Sequence, residues 1–287
     1  MKQIETLVED IYDLFDPDKH HEPSEENIQS FAEAVVGIVR TRLSARQAAS
    51  SGLRFSNLGR PDRQIWYQAK GFQGETFLPK TYLKFMYGDI IEAFVLFLCK
   101  ESGHEVKDEQ LEIEVDGIKG HIDAIIDGHV VDVKSASPFS YQKFKQGTLF
   151  EKDAFAYIPQ ISGYANVLTP DKTSYFLAFD KVSGDMCTLG VSPSIAADHK
   201  PAPRIAHLRD VIASDVVPPR CYPDVEDGKG GNRRLGTECS YCSYKEGCWP
   251  NLRTFLYSNG PRFLTRVEKV PDVFEVRNRI DTSGEEA

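Results

Sequence analysis

Two Asp-Gly dipeptides, Asp116-Gly117 and Asp127-Gly128, constrain the middle of this 287-residue chain more than any other feature. Each lies between short runs in which apolar and polar residues alternate, which is typical of a β-hairpin with a two-residue turn. The alternation predicts strands at about 111–115, 118–126 and 129–135. Immediately upstream, over 81–100, apolar residues recur at helical spacing. The change of period predicts a long helix followed by antiparallel strands.

The rest of the chain gives coarser expectations. Helical spacing predicts two helices within residues 1–50, the second beginning at about Ser24. Residues 51–80 are rich in Gly and aromatic residues and are expected to be irregular. After the hairpins we expect a loop, then a helix near 151–168 and a strand pair at 173–190. The last third is richer in Pro and Gly, and its acidic end, 281–287, is expected to fray.

The second Asp-Gly turn fixes a strand register. A two-residue turn at 127–128 pairs residues whose numbers sum to 255, so Asp123 lies opposite Asp132 and His121 opposite Lys134. Alternation places all four side chains on one face of the sheet. Two carboxylates whose Cβ atoms are about 4.5–5.5 Å apart repel each other, and a divalent cation removes that repulsion. An oxygen-rich site beside an ammonium group suits Mg²⁺ or Mn²⁺ phosphodiester chemistry. The alternative is a solvated hairpin with its charged side outward.

A third acid, Glu92, interrupts the apolar helix over 81–100, four residues after Gly88. The missing side chain of Gly88 permits close approach to a neighbouring element. Beside two paired aspartates, Glu92 is a candidate metal ligand, and the alternative is an exposed Glu on an amphipathic helix. His121 is a candidate substrate contact by alternation, or a hydrogen-bonded structural histidine.

Basic and aromatic residues are interleaved after Lys134. Phe139, Tyr141, Lys143 and Lys145 fall in a stretch predicted to be a loop, and this mixture suits stacking on bases and holding phosphates of a single strand. The alternative is a loop that is anchored by its aromatic side chains. Arg63, beside two aromatic residues, is a further candidate for DNA contact or for packing in the core.

Four of the six cysteines form the pattern C-x17-C-x2-C-x5-C near the C-terminal end. Four thiolates suit tetrahedral Zn²⁺ or a [4Fe–4S] cluster, and the spacing favours such a site over disulfides. The four residues are Cys221, Cys239, Cys242 and Cys248. The other two, Cys99 and Cys187, are expected to be small core residues, although either is an alternative for the first ligand.

Composition excludes several classes of protein. Lys and Arg number 34 against 43 Asp and Glu, a net charge of −9, which argues against a protein that coats nucleic acid over its whole surface. The longest apolar run is far shorter than the roughly 20 residues that a membrane span needs. The N-terminal residues lack the basic and apolar regions of a signal peptide. We therefore expect no membrane partner and a reducing, cytoplasmic location.

Taken in order, four elements resemble the signature of the PD-(D/E)XK nucleases. They are Gly88-x-x-x-Glu92, Asp123, Asp132-Val133-Lys134 and Gln160-x-x-x-Tyr164, which span residues 88–164. The last element is similar to the Q-x-x-x-Y motif of the RecB-like exonuclease branch. The resemblance implies an α/β fold with a restriction-endonuclease-like core, in which helices flank a mixed central sheet.

The resemblance also implies roles for these residues. The implied ligands of one or two Mg²⁺ or Mn²⁺ ions are Glu92, Asp123, Asp132 and the carbonyl of Val133. Lys134 would orient the attacking water or neutralise charge in the transition state. Gln160 and Tyr164 lie one helical turn apart and would position the substrate strand or Lys134. Pro159 indicates that their helix begins or bends there.

The C-x2-C-x5-C segment resembles the iron–sulfur staple of AddB-type nucleases and of CRISPR-adaptation nucleases. In those relatives the first ligand usually lies upstream of the nuclease core. The matching stretch here, residues 59–67, contains no cysteine. We therefore take Cys221 as the first ligand, and such a compact site makes zinc more credible than in the relatives.

These observations divide the chain into an N-terminal helical region with the Arg/Trp/Tyr box (1–80), a nuclease core (81–190), a cysteine segment (191–260) and a tail (261–287). The expected activity is that of a Mg²⁺- or Mn²⁺-dependent DNA exonuclease in replication, recombination or repair, resembling nucleases carried by bacteriophages. Its expected substrate is DNA that is single-stranded or has a free end. The alternatives are a non-catalytic DNA-end-binding or assembly module and a structure- or site-specific endonuclease. The sequence has no P-loop motif, so any unwinding falls to a helicase or recombination partner.

Overall fold

The computed structural model of the protein describes residues 2–44 and 52–276. The chain forms two compact units, a larger one comprising residues 1–60 and 77–213 and a smaller one comprising residues 61–76 and 214–287. This division differs from the predicted segments because residues 61–76 join the cysteine segment. The predicted acidic end, 281–287, lies outside the described residues.

Helices and strands alternate along the larger unit and become short in the smaller one. The helices are α1 (Leu7–Asp13), α2 (Glu25–Ser44), α3 (Asp62–Ala69), α4 (Pro79–Glu101), α5 (Pro138–Lys145), α6 (Tyr157–Leu168), α7 (Pro193–Ala196), α8 (Pro201–Ala213), α9 (Thr237–Ser240) and α10 (Lys245–Cys248). The strands are β1 (Val106–Lys107), β2 (Glu112–Val115), β3 (Ile118–His121), β4 (Ala124–Ile126), β5 (His129–Ala136), β6 (Ser174–Asp180), β7 (Met186–Val191), β8 (Val225–Glu226), β9 (Arg233–Arg234), β10 (Arg253–Tyr257), β11 (Gly260–Arg266) and β12 (Glu275–Val276).

The larger unit is built on a mixed sheet with helices packed against it. The strand order is β1-β4-β5-β6-β7, in which β5 and β6 run parallel and the other neighbours antiparallel. Val131 and Val133 of β5 share a buried cluster with Ile91 and Val95 of α4. Side chains alternate along a strand, so the even-numbered residues of β5 face the opposite side, where α6 contacts the sheet. The predicted mixed α/β architecture is therefore confirmed at this level.

Both Asp-Gly turns have the geometry that the sequence predicts. Asp116 and Gly117 have φ angles of 48° and 75°, and Asp127 and Gly128 have φ angles of 50° and 80°. Positive φ at both central residues defines a type I′ turn, which matches the twist of the flanking strands. The pairs that β4 and β5 form across the second turn have numbers that sum to 255, from 126 with 129 to 124 with 131. The predicted register of β4 and β5 is confirmed.

The predicted strand 118–126 is in fact two strands in different sheets, which corrects the placement of His121. β3 pairs with β2 in a separate hairpin, where His121 lies opposite Glu112 instead of Lys134. The break falls at the deeply buried Ile122, whose N–H donates to the Leu111 carbonyl oxygen at 3.2 Å. The His121 side chain is 52% exposed, with Nε2 3.5 Å from the Glu112 carboxylate.

Two helices lie where the sequence predicts irregular structure or a loop: α3 within 51–80 and α5 after Lys134. The last third, for which no helix is predicted, contains α7, α8, α9 and α10. The predicted helix near 151–168 begins later, at Tyr157, and Pro159 lies in its first turn. The Asp153 carboxylate accepts hydrogen bonds from the N–H groups of Tyr157 and Ile158, at 3.0 and 2.8 Å. These bonds satisfy the first free donors of α6 and fix its start.

The smaller unit contains an antiparallel sheet in the order β12-β10-β11-β9-β8, together with α3, α9 and α10. Phe255 and Leu264 are fully buried in its core. α3 is held by the Trp66 indole N–H, which donates to the Ser214 carbonyl oxygen at 2.8 Å. Among the described helices of the whole chain, none combines the length and apolar character required to cross a membrane.

Candidate functional site

The two aspartates of the predicted site face each other at the start of β4. Asp123 directly precedes β4, and its Oδ2 accepts a hydrogen bond of 2.7 Å from the N–H of Val133. Asp132, in the middle of β5, is only 4% exposed. Its Oδ2 is buried and pairs with the Lys134 ammonium, but within the described residues it accepts no hydrogen bond of good geometry. A buried, incompletely satisfied carboxylate oxygen is a candidate metal ligand.

Three carboxylates crowd one another here. Burial, then the charge of Asp132, raises the pKa of Asp123 to about 7. Burial, then the charges of Asp123 and Asp132, raises the pKa of Glu92 on α4 to about 9. Both shifts reflect the free energy of placing like charges together out of water. The three predicted acids therefore interact electrostatically with one another. We call Glu92, Asp123, Asp132 and Lys134 together the carboxylate site.

Lys134 supplies the positive charge of the carboxylate site. Burial lowers its pKa, but the charges of Asp132 and Asp123 outweigh burial and hold the pKa above its ordinary value. Its Nζ lies 4.8 Å from the centre of the Tyr157 ring, within the range of a cation–π contact. Tyr157 is not among the predicted site residues, although it lies three residues before Gln160 and so on the same face of the helix.

Gln160 and Tyr164 do share that face of α6. The Gln160 side chain hydrogen-bonds Tyr164, and burial, followed by the charges of Asp132 and Asp123, raises the pKa of Tyr164 to about 12. The phenol is therefore neutral and close to the aspartates. Its ring also stacks on Phe55, with centroids 4.9 Å apart. Tyr164 thus combines a packing role with a position beside the carboxylate site.

Gln110 was also missed, and it links two of the acids. Its side-chain Nε2 donates to Glu92 Oε1 at 2.7 Å, and its backbone N–H donates to the Asp123 carbonyl oxygen at 3.1 Å. Its φ of 54° is uncommon for a non-glycine residue. By contrast, a Cβ at Gly88 would lie 3.5 Å from Ser135 Oγ, an ordinary contact, so the predicted close approach at Gly88 is not needed.

The residues proposed as loop contacts lie on α5 and divide by helix face. Tyr141 is buried at 1% exposure, so it is a core residue and the prediction of a substrate contact is wrong. Phe139 is 77% exposed, and Lys143 Nζ lies 5.5 Å from its ring centre. Lys145 is exposed, with Nζ 5.8 Å from the ring centre of Tyr141. The two faces of α5 therefore separate the buried Tyr141 from the accessible Phe139 and Lys145.

Arg63 belongs to the smaller unit, where it stabilises the fold. Its guanidinium donates to the Pro218 carbonyl oxygen at 2.6 Å and to the Tyr67 hydroxyl at 3.1 Å. The alternative that Arg63 contributes to packing is the one that these contacts favour.

The four cysteines of the predicted pattern line one cavity of about 40 Å³ in the smaller unit, which we call the thiol site. They are Cys221, Cys239, Cys242 and Cys248. Burial, then the charges of the other three, raises the pKa of the Cys239 thiol to about 12. Backbone N–H groups of Arg63 and Gln64 donate to the Cys221 thiol. Residues 59–67, which contain no cysteine, therefore contact Cys221. The alternatives, Cys99 and Cys187, lie in the larger unit, on α4 and β7.

Both donor sets match the chemistry of a metal. Carboxylate oxygens suit Mg²⁺ or Mn²⁺, and four thiols suit zinc or an iron–sulfur cluster. Across residues 2–44 and 52–276, however, no group of three or more His, Cys, Asp or Glu side chains is already arranged around a common metal position. In the carboxylate site, Lys134 pairs with an oxygen of Asp132, so a cation bound there would compete with the ammonium for that oxygen.

Comparison with known proteins gives little. No protein-family model matches the chain, and no curated protein matches it. Among solved structures, a chain described as SSO0001 is matched with 15% sequence identity over 74% of this chain and 92% of that chain, with a TM-score of 0.39. At this identity and TM-score the similarity assigns neither an activity nor a site residue.

Proposed function

We propose that the larger unit is a metal-dependent deoxyribonuclease with a PD-(D/E)XK core of the RecB-like exonuclease type. One observation carries the proposal: Glu92, Asp123 and Asp132 converge on the half-buried Lys134 ammonium, and burial with mutual repulsion raises the pKa of Glu92 and Asp123. Buried carboxylates that repel one another lower the stability of the folded state when nothing binds to them. A divalent cation offsets that cost and makes phosphodiester hydrolysis the best-supported chemistry.

Each residue of the site has a task that its surroundings allow. Glu92, Asp123, Asp132 and the Val133 carbonyl would hold Mg²⁺ or Mn²⁺. The cation, when bound, would lower the pKa of a water and neutralise charge on the scissile phosphate. Lys134 stays protonated, so it would donate a hydrogen bond to the attacking water or to a phosphate oxygen.

The α6 face would position the substrate strand. Tyr164 is held by its ring stack on Phe55, and its hydroxyl and the Gln160 amide are neutral donors beside the aspartates. Neutral donors contact a phosphate without adding to the repulsion among the acids. The resemblance of Gln160-x-x-x-Tyr164 to the Q-x-x-x-Y motif favours an exonuclease over a structure- or site-specific endonuclease, and unwinding would come from a helicase or recombination partner.

We propose that the thiol site of the smaller unit holds a [4Fe–4S] cluster or Zn²⁺ in a reducing cytoplasm. Four thiols from separate short elements line one small cavity, and a bound metal would tie those elements together. Iron and zinc content of protein purified without oxygen would separate the two. About four irons per chain with broad absorbance near 400 nm indicates the cluster, and one zinc without it indicates zinc.

The decisive test of the nuclease proposal compares end-labelled linear single-stranded DNA with a covalently closed circle, each in Mg²⁺, Mn²⁺ or EDTA. We expect metal-dependent loss of the linear strand and survival of the circle, with polarity given by the label. Cutting of the circle would identify an endonuclease. If neither substrate is cut while DNA is bound, the protein is a binding or assembly module and the proposal is wrong.

A further inference from the structure

A second pocket opens beside Lys134, and none of the three acids of the carboxylate site lines it. It has a volume of about 220 Å³, and four lysines line it: Lys134, Lys143, Lys152 and Lys181. Among the described residues that line it there is no Asp or Glu. The whole chain carries more acidic than basic residues, so a pocket with only cationic charge departs from the protein's general balance. Four ammonium groups around one cavity repel one another unless an anion joins them.

Neutral donors complete the lining. Ser135, Ser137 and Ser140 contribute hydroxyl groups to the same pocket. Ser137 precedes α5, and its Oγ accepts a long hydrogen bond of 3.4 Å from the Ser140 N–H. Hydroxyls and ammonium groups together are the donors that proteins use for phosphate oxygens.

The topology explains why these residues meet. β5 and β6 run parallel, so their carboxyl ends lie at the same edge of the sheet. β5 ends at Ala136 and leads into α5, while β6 ends at Asp180 and leads directly to Lys181. In open α/β sheets, this edge and the helix start above it are a common location for anionic ligands.

Three of the four lysines are not already neutralised, whereas Lys134 pairs with Asp132. In the described part of the chain, Lys143, Lys152 and Lys181 form no ion pair with a carboxylate, and Lys143 Nζ makes only a long contact of 3.4 Å with the Lys152 carbonyl oxygen. The nearby acids have other partners. The Asp153 carboxylate caps α6, and Asp180 Oδ1 accepts from the Val182 N–H at 3.0 Å.

We propose that this pocket binds a phosphoryl group of the substrate strand, adjacent to the phosphate that is cleaved. The identity of the strand as DNA rests on the proposed function, whereas the affinity for a phosphoryl group rests on the pocket itself. Lys134 belongs to both the pocket and the carboxylate site, so the bound phosphate lies one side chain from the reacting group. That phosphate is either the terminal phosphate of a strand or an internal one.

The test measures binding in EDTA, so that it does not depend on cleavage. Short single-stranded oligonucleotides with a 5′-phosphate, a 3′-phosphate or only hydroxyl ends are titrated against the wild-type protein and the double variant Lys143→Ala/Lys181→Ala. A charge-matched control, Lys107→Ala/Lys200→Ala, removes two exposed lysines of the larger unit that do not line the pocket. Circular dichroism checks that each variant is folded.

We expect the pocket variant to lose about 10-fold in affinity, since charged hydrogen bonds to phosphate are lost, and the control to lose much less. A loss confined to one phosphorylated end assigns the pocket to a terminal phosphate and indicates the cleavage polarity. An equal loss for every oligonucleotide assigns it to an internal phosphate. The inference is wrong if the pocket variant binds all oligonucleotides with wild-type affinity. It is also wrong if the pocket variant and the control lose affinity to the same extent.

A competition with inorganic phosphate separates this inference from the nuclease proposal. Phosphate should weaken oligonucleotide binding to the wild type and have little effect on the pocket variant. If the competition shows this difference but no DNA is cleaved, the phosphate pocket is supported and the nuclease proposal is wrong. If DNA is cleaved but phosphate affects the wild type and the pocket variant equally, the nuclease proposal is supported and the phosphate pocket is wrong.

Discussion

The carboxylate site and the thiol site differ in what holds their members together. Asp132 and Lys134 lie on a central strand of the sheet, and Glu92 lies on a helix of 23 residues packed against it. The cysteines come from short helices and connecting segments with few other constraints. The first site is assembled by the fold and strained by its charges. In the second site burial raises the pKa of the Cys221, Cys239 and Cys242 thiols, so these three are neutral without metal.

The largest expected effect tests the carboxylate site. Lys134→Ala or Asp132→Asn should lower the single-turnover cleavage rate by about 10³-fold or more, since each removes charge from the reacting position. Glu114→Gln, on the exposed side of β2, is the matched control and should keep wild-type activity. If cleavage persisted in contaminant-free preparations of both variants, Asp132 and Lys134 would not carry out the reaction, and the contrast drawn between the two sites would be wrong.

The second prediction concerns how much each unit depends on its metal. We expect Cys242→Ser to make residues 214–276 sensitive to limited proteolysis while residues 77–213 stay resistant, because metal binding supplies folding free energy to a site built from short elements. EDTA, which removes Mg²⁺, should leave the proteolysis of the larger unit unchanged. Cys187→Ser removes a thiol from β7 and serves as the control. Equal resistance of Cys242→Ser and wild-type protein would count against a structural metal at the thiol site.

A third prediction follows from the charges of the carboxylate site. The folded state raises the pKa of Asp123 to about 7, so it holds that proton more tightly than the unfolded chain. The contribution of Asp123 to the metal-free stability is therefore greatest below its unfolded pKa, near 4, and falls as pH rises through about 7. In EDTA at pH 8, Asp123→Asn should raise the free energy of unfolding by about 1–3 kcal/mol while abolishing cleavage.

Thermal unfolding in EDTA across pH 5 to 8 measures this effect, and the Asn variant should show a flatter profile than the wild type. Asp171→Asn, in an exposed turn between α6 and β6, provides a control that should leave the profile unchanged. A wild-type protein that grows more stable over this range would contradict the repulsion that distinguishes this site from the thiol site.

The same contrast explains what the sequence could predict. The second Asp-Gly turn predicted the register of β4 and β5 because type I′ geometry leaves no freedom in register, and this register brings Asp123, just before β4, close to Asp132 and Val133. His121 was misplaced because the chain changes sheets at Ile122, and nothing in the alternation of residues 118–126 marks that step. α5 carried a readable signal in Ser137-Pro138, an N-cap followed by a favoured first residue. No sequence signal marked Lys181 as a residue of the pocket proposed to bind phosphate. Only the parallel pairing of β5 and β6 brings Lys181 near Lys134.

The smallest expected effect tests whether α6 helps to preorganise the carboxylate site. The Tyr157 ring lies over the Lys134 ammonium, and a cation–π contact of this kind contributes about 0.5–2 kcal/mol. Tyr157→Leu should therefore lower the cleavage rate by about 2- to 30-fold, whereas Tyr157→Phe, which keeps the ring, should stay close to wild type. Because the ring acts through Lys134, Tyr157→Leu should have little further effect in a Lys134→Ala background. Equal losses in the Phe and Leu variants would assign the effect to the hydroxyl group and show that the ring does not hold Lys134 in place.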